Sequence, residues 1–516
     1  MKNRYISLIL IIAGVFSFTS CEDNLDIPQH SVSSIDTYYQ IDEEAEEGIV
    51  ACYTATRDLY TATFANLPDL IDNLSDDLYG GGGSHTAVPW RRAVDFTFDD
   101  AFGPIGTNYV NLYALVYRAN VVIENVTGES TVMKRAVAEA KVFRAFAYFY
   151  LTTLWGTPPL VDHTLEESEY MQGNSTTAEL WAFIETNLTE AINSNALTEK
   201  ANKDDETYRI TKQFAQGLLG KAYLFQEKYS EAASMLDNVV NSGLYDLHAD
   251  LSTAGTPLSN MTEESIFEIH FLNDMSQSET NNNINWTAKG LRGEKYSYTA
   301  DAPFATSTWG IGNPTKDLYD AFISVEGADG YRLNNTLLTR DQMMNDYGTT
   351  NIMEITDHEG IFWFKYRILK DFWAGYFYAN NHRVMKYNEI LLLAAEAHLQ
   401  NGNGAKATEY MNIIRNRAQA PTITGTVTLD EIKTESRLEL CMEGHRFLNL
   451  VRWGDAASTL ATKGVQGPNL QTDGSVVWVP YNDPAECGFK TGKHELLPFP
   501  NTEMSVNPNM TQNPGW

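Results

Sequence analysis

The fold is decided by a stretch that begins Arg383-Val384-Met385-Lys386-Tyr387-Asn388-Glu389-Ile390-Leu391-Leu392-Leu393-Ala394-Ala395-Glu396-Ala397. Counted from Tyr387, its apolar residues recur at positions i, i+3, i+4, i+7 and i+8, the pattern of a helix with one buried face. Asn401-Gly402-Asn403-Gly404 ends this helix, because Gly and Asn tolerate a left-handed cap. A second amphipathic helix follows as far as Ala418, so the stretch predicts a helical hairpin.

The same arrangement recurs along the chain. Thr428-Leu429-Asp430-Glu431 is a capping box that begins a third helix. Residues 211–240 repeat the hairpin pattern, and helical pairs are predicted at four places. Helical hairpins with small residues at their crossing points are typical of tetratricopeptide-like scaffolds. We therefore expect a mainly α fold, built as a tetratricopeptide-like helical hairpin scaffold from distant segments of the chain.

The middle of the chain has a different character. Residues 251–380 show poor helical periodicity and are rich in Gly, Pro and aromatic residues, although residues 265–271 alternate like a short strand. We predict a loop-rich lobe with short strands here, inserted between scaffold segments at 36–250 and 381–516. Loops on a rigid scaffold commonly carry binding function.

The N-terminal residues indicate the cellular compartment of the protein. Lys2 and Arg4 precede a mostly apolar run at residues 5–18, which is short for a membrane span and fits a secretory signal. Phe18-Thr19-Ser20-Cys21 resembles a bacterial lipobox. We predict a signal peptide at 1–20, acylation of Cys21 and a polar tether at 21–35, since more than one acyl chain gives stable anchoring. An ordinary cleaved signal with an incidental cysteine is the alternative.

The net charge and the cysteine content argue against nucleic-acid binding, a disulfide framework and a metal site. The 516 residues carry a formal net charge of -30, which repels phosphate backbones and makes nucleic acid an improbable partner. Neutral glycans and basic or polar proteins tolerate such a field. Only three cysteines follow Cys21, and an odd number argues against a disulfide framework. No Cys/His cluster has metal-ligand spacing, so no metal or cofactor is predicted.

Several motifs resemble the SusD/RagB family of Bacteroidetes. They are Tyr387-x-Glu389-x-Leu391-Leu392-x-x-Ala395-Glu396-Ala397, the run at 412–418, Glu439-Leu440-x-x-Glu443-Gly444-x-Arg446, and Arg452-Trp453-Gly454. The resemblance continues through Trp155-Gly156-x-x-Pro159 and the C-terminal set Phe499-Pro500-x-x-Glu503, Asn507-Pro508 and Gln512-Asn513-Pro514-Gly515-Trp516. It implies a surface lipoprotein of the outer membrane that binds oligosaccharide or polysaccharide and delivers it to a SusC-like TonB-dependent transporter.

The resemblance carries over no ligand residue, because in that family the ligand residues lie in variable loops. We therefore sought flat aromatic faces beside groups that bond to sugar hydroxyls. The first candidate site is a loop in which Trp90 would stack on a sugar while Asn73, Asp77 and Arg91 bond to hydroxyls. The second is the lobe, with candidates Trp286, Tyr296, Trp309, Trp373 and Tyr376. Each aromatic has the alternative of being a core or edge residue.

Catalysis has no sequence signature here. The chain lacks His-Glu-x-x-His, Gly-x-Ser-x-Gly and a dinucleotide fingerprint. His358-Glu359 has no second histidine and is expected to be a solvated pair. A glycan-binding protein that is not an enzyme is the leading prediction. The alternatives are a RagB-like peptide-binding uptake lipoprotein, a protein-interaction scaffold, and an all-α glycoside hydrolase, which needs two carboxylates facing one bond.

Overall fold

The computed structural model describes residues 38–82, 90–272, 284–292, 295, 303, 305, 308–350, 352–374 and 377–516. Its helices are α1 (Asp42–Thr61), α2 (Leu67–Asn73), α3 (Trp90–Val94), α4 (Gly103–Asn125), α5 (Thr131–Trp155), α6 (Thr177–Asn193), α7 (Lys212–Phe225), α8 (Tyr229–Val240), α9 (Ile284–Lys289), α10 (Lys316–Glu326), α11 (Tyr331–Thr336), α12 (Arg340–Tyr347), α13 (Tyr387–Gln400), α14 (Gly404–Arg417), α15 (Leu429–Glu439), α16 (Arg446–Arg452), α17 (Ala456–Leu460) and α18 (Asn501–Met504).

The strands are short and form small antiparallel sheets. They are β1 (Leu78–Gly81), β2 (Ser265–Ile269), β3 (Ile311–Pro314), β4 (Leu337–Thr339), β5 (Ile355–Thr356), β6 (Ile361–Trp363), β7 (Trp373–Ala374), β8 (Phe377–Tyr378), β9 (His382–Lys386), β10 (Gln466–Leu470) and β11 (Val476–Pro480). The pairs are β1 with β3, β2 with β9, β4 with β6 and β7 with β8, while β10 lies between β5 and β11. The fold is mainly α, as predicted.

The scaffold is a continuous array of packed helices. In spatial order α4, α5, α6, α7, α8, α13 and α14 each pack against the next, and α1 covers α4 and α5. The step from α8 to α13 joins segments far apart in sequence, which confirms a tetratricopeptide-like scaffold assembled from distant parts. Tyr410 on α14 donates to Asp237 Oδ1 on α8 at 2.7 Å across this junction.

Helix ends follow the predicted signals, with one difference. Thr428 and Glu431 form the reciprocal capping box that begins α15. However, α13 begins at Tyr387 and not at Arg383, because residues 382–386 form β9 and pair with β2. Val384 and Met385 on this strand are both buried, so the strand lacks a strict alternation and its apolar residues merge with the helical pattern that follows.

The inserted lobe is more helical than we predicted. Residues 316–347 contain α10, α11, β4 and α12, and a second apolar core forms around Leu318, Phe322 and Leu333. The lobe joins the scaffold through buried ion pairs. Arg332 on α11 bonds to Glu435 and Glu439 on α15 at 2.7 and 2.8 Å, so these ion pairs connect the lobe to the scaffold.

The C-terminal motif closes the scaffold. Asn513 Nδ2 donates to the backbone oxygens of Trp155 and Leu497, at 2.9 and 2.7 Å. Trp155 Nε1 in turn donates to the Pro498 oxygen at 3.0 Å. Two stretches that resembled one family in the sequence therefore meet in space, across a separation of 358 residues.

The N-terminal predictions fall outside the described residues. The signal peptide, Cys21 and the tether all precede residue 38. Within the part of the chain that the structure describes, no helix has the length and apolar content that a membrane span requires. Cys52, Cys441 and Cys487 are buried and unpaired with one another.

Candidate functional site

An open cleft of about 550 Å³ lies where β1, α3, the turn at Asp357 and residues 462–484 meet. Three aromatic side chains form its walls: Tyr79, Trp478 and Tyr481. The polar side chains that line it are those of Arg91, Asp95, Asp357, Thr462, Lys463 and Gln466. We call this the aromatic cleft.

Two antiparallel pairs hold the aromatic walls in place. Tyr79 on β1 lies opposite Asn313 on β3, and Trp478 on β11 lies opposite Pro468 on β10. The Tyr79 and Trp478 rings approach edge to face, with centroids 6.4 Å apart and planes at 71°. Trp478 remains 44% exposed, so much of its apolar surface is open to a ligand.

Asp357 organises the floor of the cleft. It has a positive φ of 56°, a strained backbone conformation that points its carboxylate toward several donors. The carboxylate pairs with the Arg91 guanidinium, accepts from the Tyr481 hydroxyl at 2.5 Å and accepts from the Gly81 amide at 3.1 Å. It is 1% exposed, so it acts as an internal support.

Tyr481 is held as a fixed, protonated wall. The Arg91 guanidinium carbon lies 5.1 Å from its ring centroid, a cation–π distance. Burial, with the hydrogen bond to Asp357, raises the pKa of Tyr481, so its phenol stays a donor. Gly467 leaves room for this ring, because a Cβ at that position would clash with it.

Lys463 and Glu359 support the Tyr79 wall from two sides. Lys463 Nζ donates to the Leu78 oxygen at 2.6 Å and lies 5.5 Å from the centre of the Tyr79 ring. Burial lowers the pKa of Lys463, against the effect of nearby carboxylates. The Tyr79 hydroxyl donates to Glu359 Oε2 at 3.0 Å. Arg91 and Asp357 neutralise each other in the cleft, and the Lys463 ammonium is bonded to a backbone oxygen, which suits an uncharged ligand with an apolar face.

His358 and Glu359 are not the solvated pair that we predicted. His358 is 1% exposed, its Nδ1 accepts from the Gly360 amide at 2.9 Å, and burial lowers its pKa to about 3. Glu359 also accepts from the Lys316 amide at 2.7 Å. Neither residue lines the cleft, but Glu359 accepts from the Tyr79 hydroxyl and so supports that wall from behind.

The predicted role of Trp90 is wrong. Trp90 begins α3 and is 1% exposed, so its ring packs in the main apolar core and cannot stack on a sugar. Arg91, the next residue, does line the aromatic cleft, but it is paired with Asp357. Of these two neighbouring candidates, Arg91 lines a cleft and Trp90 is buried in the core.

Asn73 and Asp77 are also internal. They are 3% and 2% exposed. Asn73 Nδ2 donates to the Asp69 oxygen at 2.7 Å, and Asp77 Oδ1 accepts from Arg437 Nε at 2.7 Å. Neither lines the cleft. Among the described residues no group of three or more His, Cys, Asp or Glu side chains is arranged to hold a metal ion.

Asp72, in the same segment, carries a pH consequence. It is 3% exposed, and burial raises its pKa to about 7 although Lys289 opposes the shift. Between the unfolded pKa, about 4, and 7, the folded chain binds this proton more tightly than the unfolded chain does. Asp72 therefore makes stability fall as the pH rises through this window.

Asp72→Asn is expected to remove that pH dependence. The free energy of unfolding of the variant, relative to the wild type, should rise between pH 4 and pH 8 by at most about 4 kcal/mol, at ~1.36 kcal/mol per pKa unit. Urea unfolding at pH 4, 6 and 8 measures the difference. Asp58→Asn, at a side chain that is 44% exposed, is the control. A difference for Asp72→Asn that stays constant with pH contradicts the prediction.

Trp286 is a core residue and not the ligand platform that we predicted. It is 4% exposed and stacks on His382 and Tyr366, with centroids 4.8 and 5.1 Å away. Its Nε1 donates to the Asn380 oxygen at 2.9 Å, so the ring and its polar atom are both used internally. Tyr296 and Tyr376 lie outside the described residues.

Trp309 and Trp373 are partly buried and lie on either side of Thr287. The Trp309 amide donates to the Thr287 oxygen at 3.1 Å, and Trp373 Nε1 bonds to Thr287 Oγ1 at 3.3 Å. Trp309 also stacks on Phe64, with centroids 5.6 Å apart. The structure thus brings together two predicted ligand residues, and their role in binding stays a prediction.

Sequence reasoning missed the aromatic residues of the C-terminal segment. Trp478 and Tyr481 follow Val476 and Val477 in a run of β-forming residues, which is the signal that predicts a strand. The Gly residues of this segment, Gly464, Gly467 and Gly474, obscure the hairpin in the sequence. Exposure of the Trp478 ring depends on tertiary contacts that one sequence does not show.

Comparisons with known proteins agree on one family. The model of the SusD family matches residues 327–516. A second model, described as "Starch-binding associating with outer membrane", matches residues 84–224. Together they match more than half of the chain. SusD-like protein P25 of Formosa agariphila is 21% identical over 97% of this chain and 97% of its own length.

Solved structures show the same fold. A laminarin binding SusD-like protein is 27% identical, has a TM-score of 0.77 and matches 92% of this chain and 99% of its own. Surface glycan-binding protein A from Bacteroides thetaiotaomicron in complex with laminarihexaose is 23% identical, with a TM-score of 0.73 over 92% of this chain and 99% of its own.

Proposed function

The chain belongs to the SusD family, and from this we propose that it is a cell-surface lipoprotein that binds oligosaccharide or polysaccharide in the aromatic cleft. In this proposal it delivers the glycan to a SusC-like TonB-dependent transporter. The observation that carries the proposal is the exposed Trp478 ring, which contacts Tyr79 edge to face in a cleft where Arg91 and Asp357 neutralise each other. An apolar sugar face fits such a wall.

The likeness to laminarin-binding and laminarihexaose-bound proteins supports a neutral glucan as the first ligand to test. A neutral ligand also agrees with the cleft itself, since Arg91 and Asp357 neutralise each other there. Native affinity electrophoresis of residues 22–516 through gels that contain laminarin, starch, xylan, mannan or pectin tests the class. Retardation by none of them, with binding of peptides, would favour a peptide-uptake protein instead.

Trp478→Ala is expected to weaken glycan binding about tenfold or more, a loss of about 1.4 kcal/mol per tenfold, because it removes the open stacking surface. Retardation as a function of glycan concentration gives the dissociation constant. Trp181→Ala on α6 is the control. The Trp181 ring is partly buried and packs on Phe149, and it does not line the aromatic cleft.

Two further variants test whether the glycan binds in the aromatic cleft or at Trp309 and Trp373, which both bond to Thr287. Trp309→Ala and Trp373→Ala are expected to leave binding within about twofold of the wild type if the cleft is the main site. A loss of binding in these variants, with Trp478→Ala unaffected, would move the site to the lobe residues and overturn the assignment to the cleft.

We also propose that the protein binds glycan without hydrolysing it. A glycosidase needs two carboxylates that are free to act on one bond. In the cleft Asp357 is engaged by Arg91, Tyr481 and Gly81, and Asp95 Oδ2 accepts from Asn482 at 3.0 Å. Incubation of the protein with the glycan that retards it should release no new reducing ends. Release of reducing ends in proportion to the protein concentration would contradict this proposal.

Membrane attachment through Cys21 completes the proposal. It is supported by the lipobox-like sequence before Cys21 and by a family model described as associated with the outer membrane. Mass spectrometry of the mature protein tests it directly, because an unmodified Cys21, or a mature chain that starts elsewhere, would contradict acylation at this residue.

A further inference from the structure

A second groove, of about 260 Å³, lies where α4, the segment at residues 159–172 and the segment at residues 503–507 meet. The side chains that line it include Tyr109, Val110, Tyr113, Leu165, Tyr170 and Glu503. None of them lines the aromatic cleft. We call it the α4 groove.

Exposed apolar side chains lie on α4 and on the two segments that form the α4 groove with it. They are large side chains with exposed fractions of 48–61%: Val110, Tyr117, Tyr170, Met171 and Val506. Val110, Tyr113 and Tyr117 lie three or four residues apart and share one face of α4. A helix of a soluble protein usually presents polar residues to water on such a face, and contiguous apolar surface of this kind marks an interaction site.

Two polar side chains of the groove, Tyr113 and Asn507, donate to acceptors within the protein. The Tyr113 hydroxyl donates to the Pro159 oxygen at 2.7 Å. Asn507 Nδ2 donates to the Gln172 oxygen at 2.9 Å and to Glu503 Oε1 at 2.8 Å. A glycan needs many groups that bond to its hydroxyls, whereas an apolar side chain does not. The groove therefore favours a polypeptide over a sugar.

The charge around the groove has one sign. Glu503 lines it, and the segment before Tyr170 carries Asp162, Glu166, Glu167 and Glu169. No lysine or arginine is among the residues that line the groove, and the neighbouring His163 is bonded to Asp162 and Glu169. An acidic rim attracts lysine and arginine side chains and repels an anionic lipid surface.

The groove is built from the two motif stretches that the aromatic cleft leaves unused. Pro159 belongs to the stretch after Trp155, while Glu503 and Asn507 belong to the C-terminal set. Contacts between Trp155, Pro498 and Asn513 hold these stretches together. The groove therefore has a rigid base, and its shape does not depend on one mobile loop.

We propose that the α4 groove docks a polypeptide segment of a protein partner in which an apolar side chain lies next to lysine or arginine. The apolar side chain enters between Val110 and Tyr170, and the cation meets Glu503. This inference deepens the proposed function and rests on it, since delivery of a glycan to a transporter requires a protein contact on a surface that leaves the aromatic cleft open.

Photocrosslinking in cells tests the proposal with the full chain. Benzoylphenylalanine replaces Tyr117, and the crosslinked peptide is sequenced by mass spectrometry. We expect one protein adduct whose peptide contains an apolar residue within a few positions of lysine or arginine. Benzoylphenylalanine at Met344, on α12 and 38% exposed, is the control and should give less than about one fifth of that adduct.

Charge reversal sharpens the test. Glu503→Lys, made in the Tyr117 crosslinking background, is expected to lower the adduct yield at least fivefold while glycan retardation stays unchanged. An unchanged yield overturns the proposal. Adducts with lipid alone, with a second copy of the chain, with a peptide that lacks basic residues, or no adduct at all also overturn it.

The crosslinking experiment and the glycan-binding experiment can succeed or fail independently. An adduct with the expected chemistry on a protein that is not a transporter supports the α4 groove as a docking site and removes transporter delivery from the proposed function. Loss of glycan retardation in Trp478→Ala is measured on the purified protein, so it stands whatever the crosslink shows.

Discussion

Arg332→Ala is expected to lower the free energy of unfolding by about 3–5 kcal/mol, the range for breaking a buried ion pair from one side. Arg332 is 2% exposed. Its guanidinium bonds to Glu326 at 2.7 Å, Glu435 at 2.7 Å and Glu439 at 2.8 Å. Removing it leaves carboxylates in a buried environment with too few cations, and their desolvation is no longer offset.

Unfolding in guanidinium chloride, followed by tryptophan fluorescence, measures the change in the free energy of unfolding. The control is Lys316→Ala, which removes a cation paired with Asp320 where both side chains are 55% exposed. Such surface pairs contribute about 0–1 kcal/mol. Equal effects from the two substitutions would show that the buried cluster does not hold the lobe to the scaffold.

Asp357→Ala is expected to weaken glycan binding strongly and to destabilise the protein by about 2–4 kcal/mol. The substitution takes from Arg91 its buried counter-charge and from the Tyr481 hydroxyl its acceptor. Both side chains line the aromatic cleft. We therefore expect binding at least about 30-fold weaker, or about 2 kcal/mol, with the scaffold still folded.

Asp473→Ala is the matched control for Asp357→Ala, because it removes one carboxylate from the exposed turn between β10 and β11. Circular dichroism verifies that each variant is folded before affinity electrophoresis. Tyr481→Phe keeps the ring and loses the hydroxyl, so we expect an intermediate loss. Wild-type affinity in a folded Asp357→Ala variant would show that the ligand binds elsewhere.

The helical scaffold could be predicted because its signal is local. Tyr387, Ile390 and Leu391 repeat with the helical period, and the Thr428–Glu431 capping box is complete within four residues. Assembly of the scaffold from distant segments was also predicted, whereas the packing of α8 against α13 is seen only in the structure. Periodicity and caps are properties of short stretches, which one sequence contains in full.

The candidate site could be predicted only in part, because it depends on contacts between distant segments. Trp90 and Trp286 have the same composition signal as Trp478, and only burial separates them. Arg91 was a candidate in the sequence, but its pairing with Asp357 joins residues 266 positions apart. Whether a ring or a charge faces solvent is decided by such partners, which spacing along the chain does not reveal.

The bonds from Asn513 to Trp155 and Leu497 also constrain the order of events during biosynthesis. Helix α5 emerges from the ribosome early, yet the group that caps its C-terminal oxygen is 358 residues further along. Closing so large a loop is slow compared with forming local helices. A chain that ends before residue 513 therefore leaves the Trp155 oxygen without this cap, and the scaffold closes there only when the C-terminal segment is present.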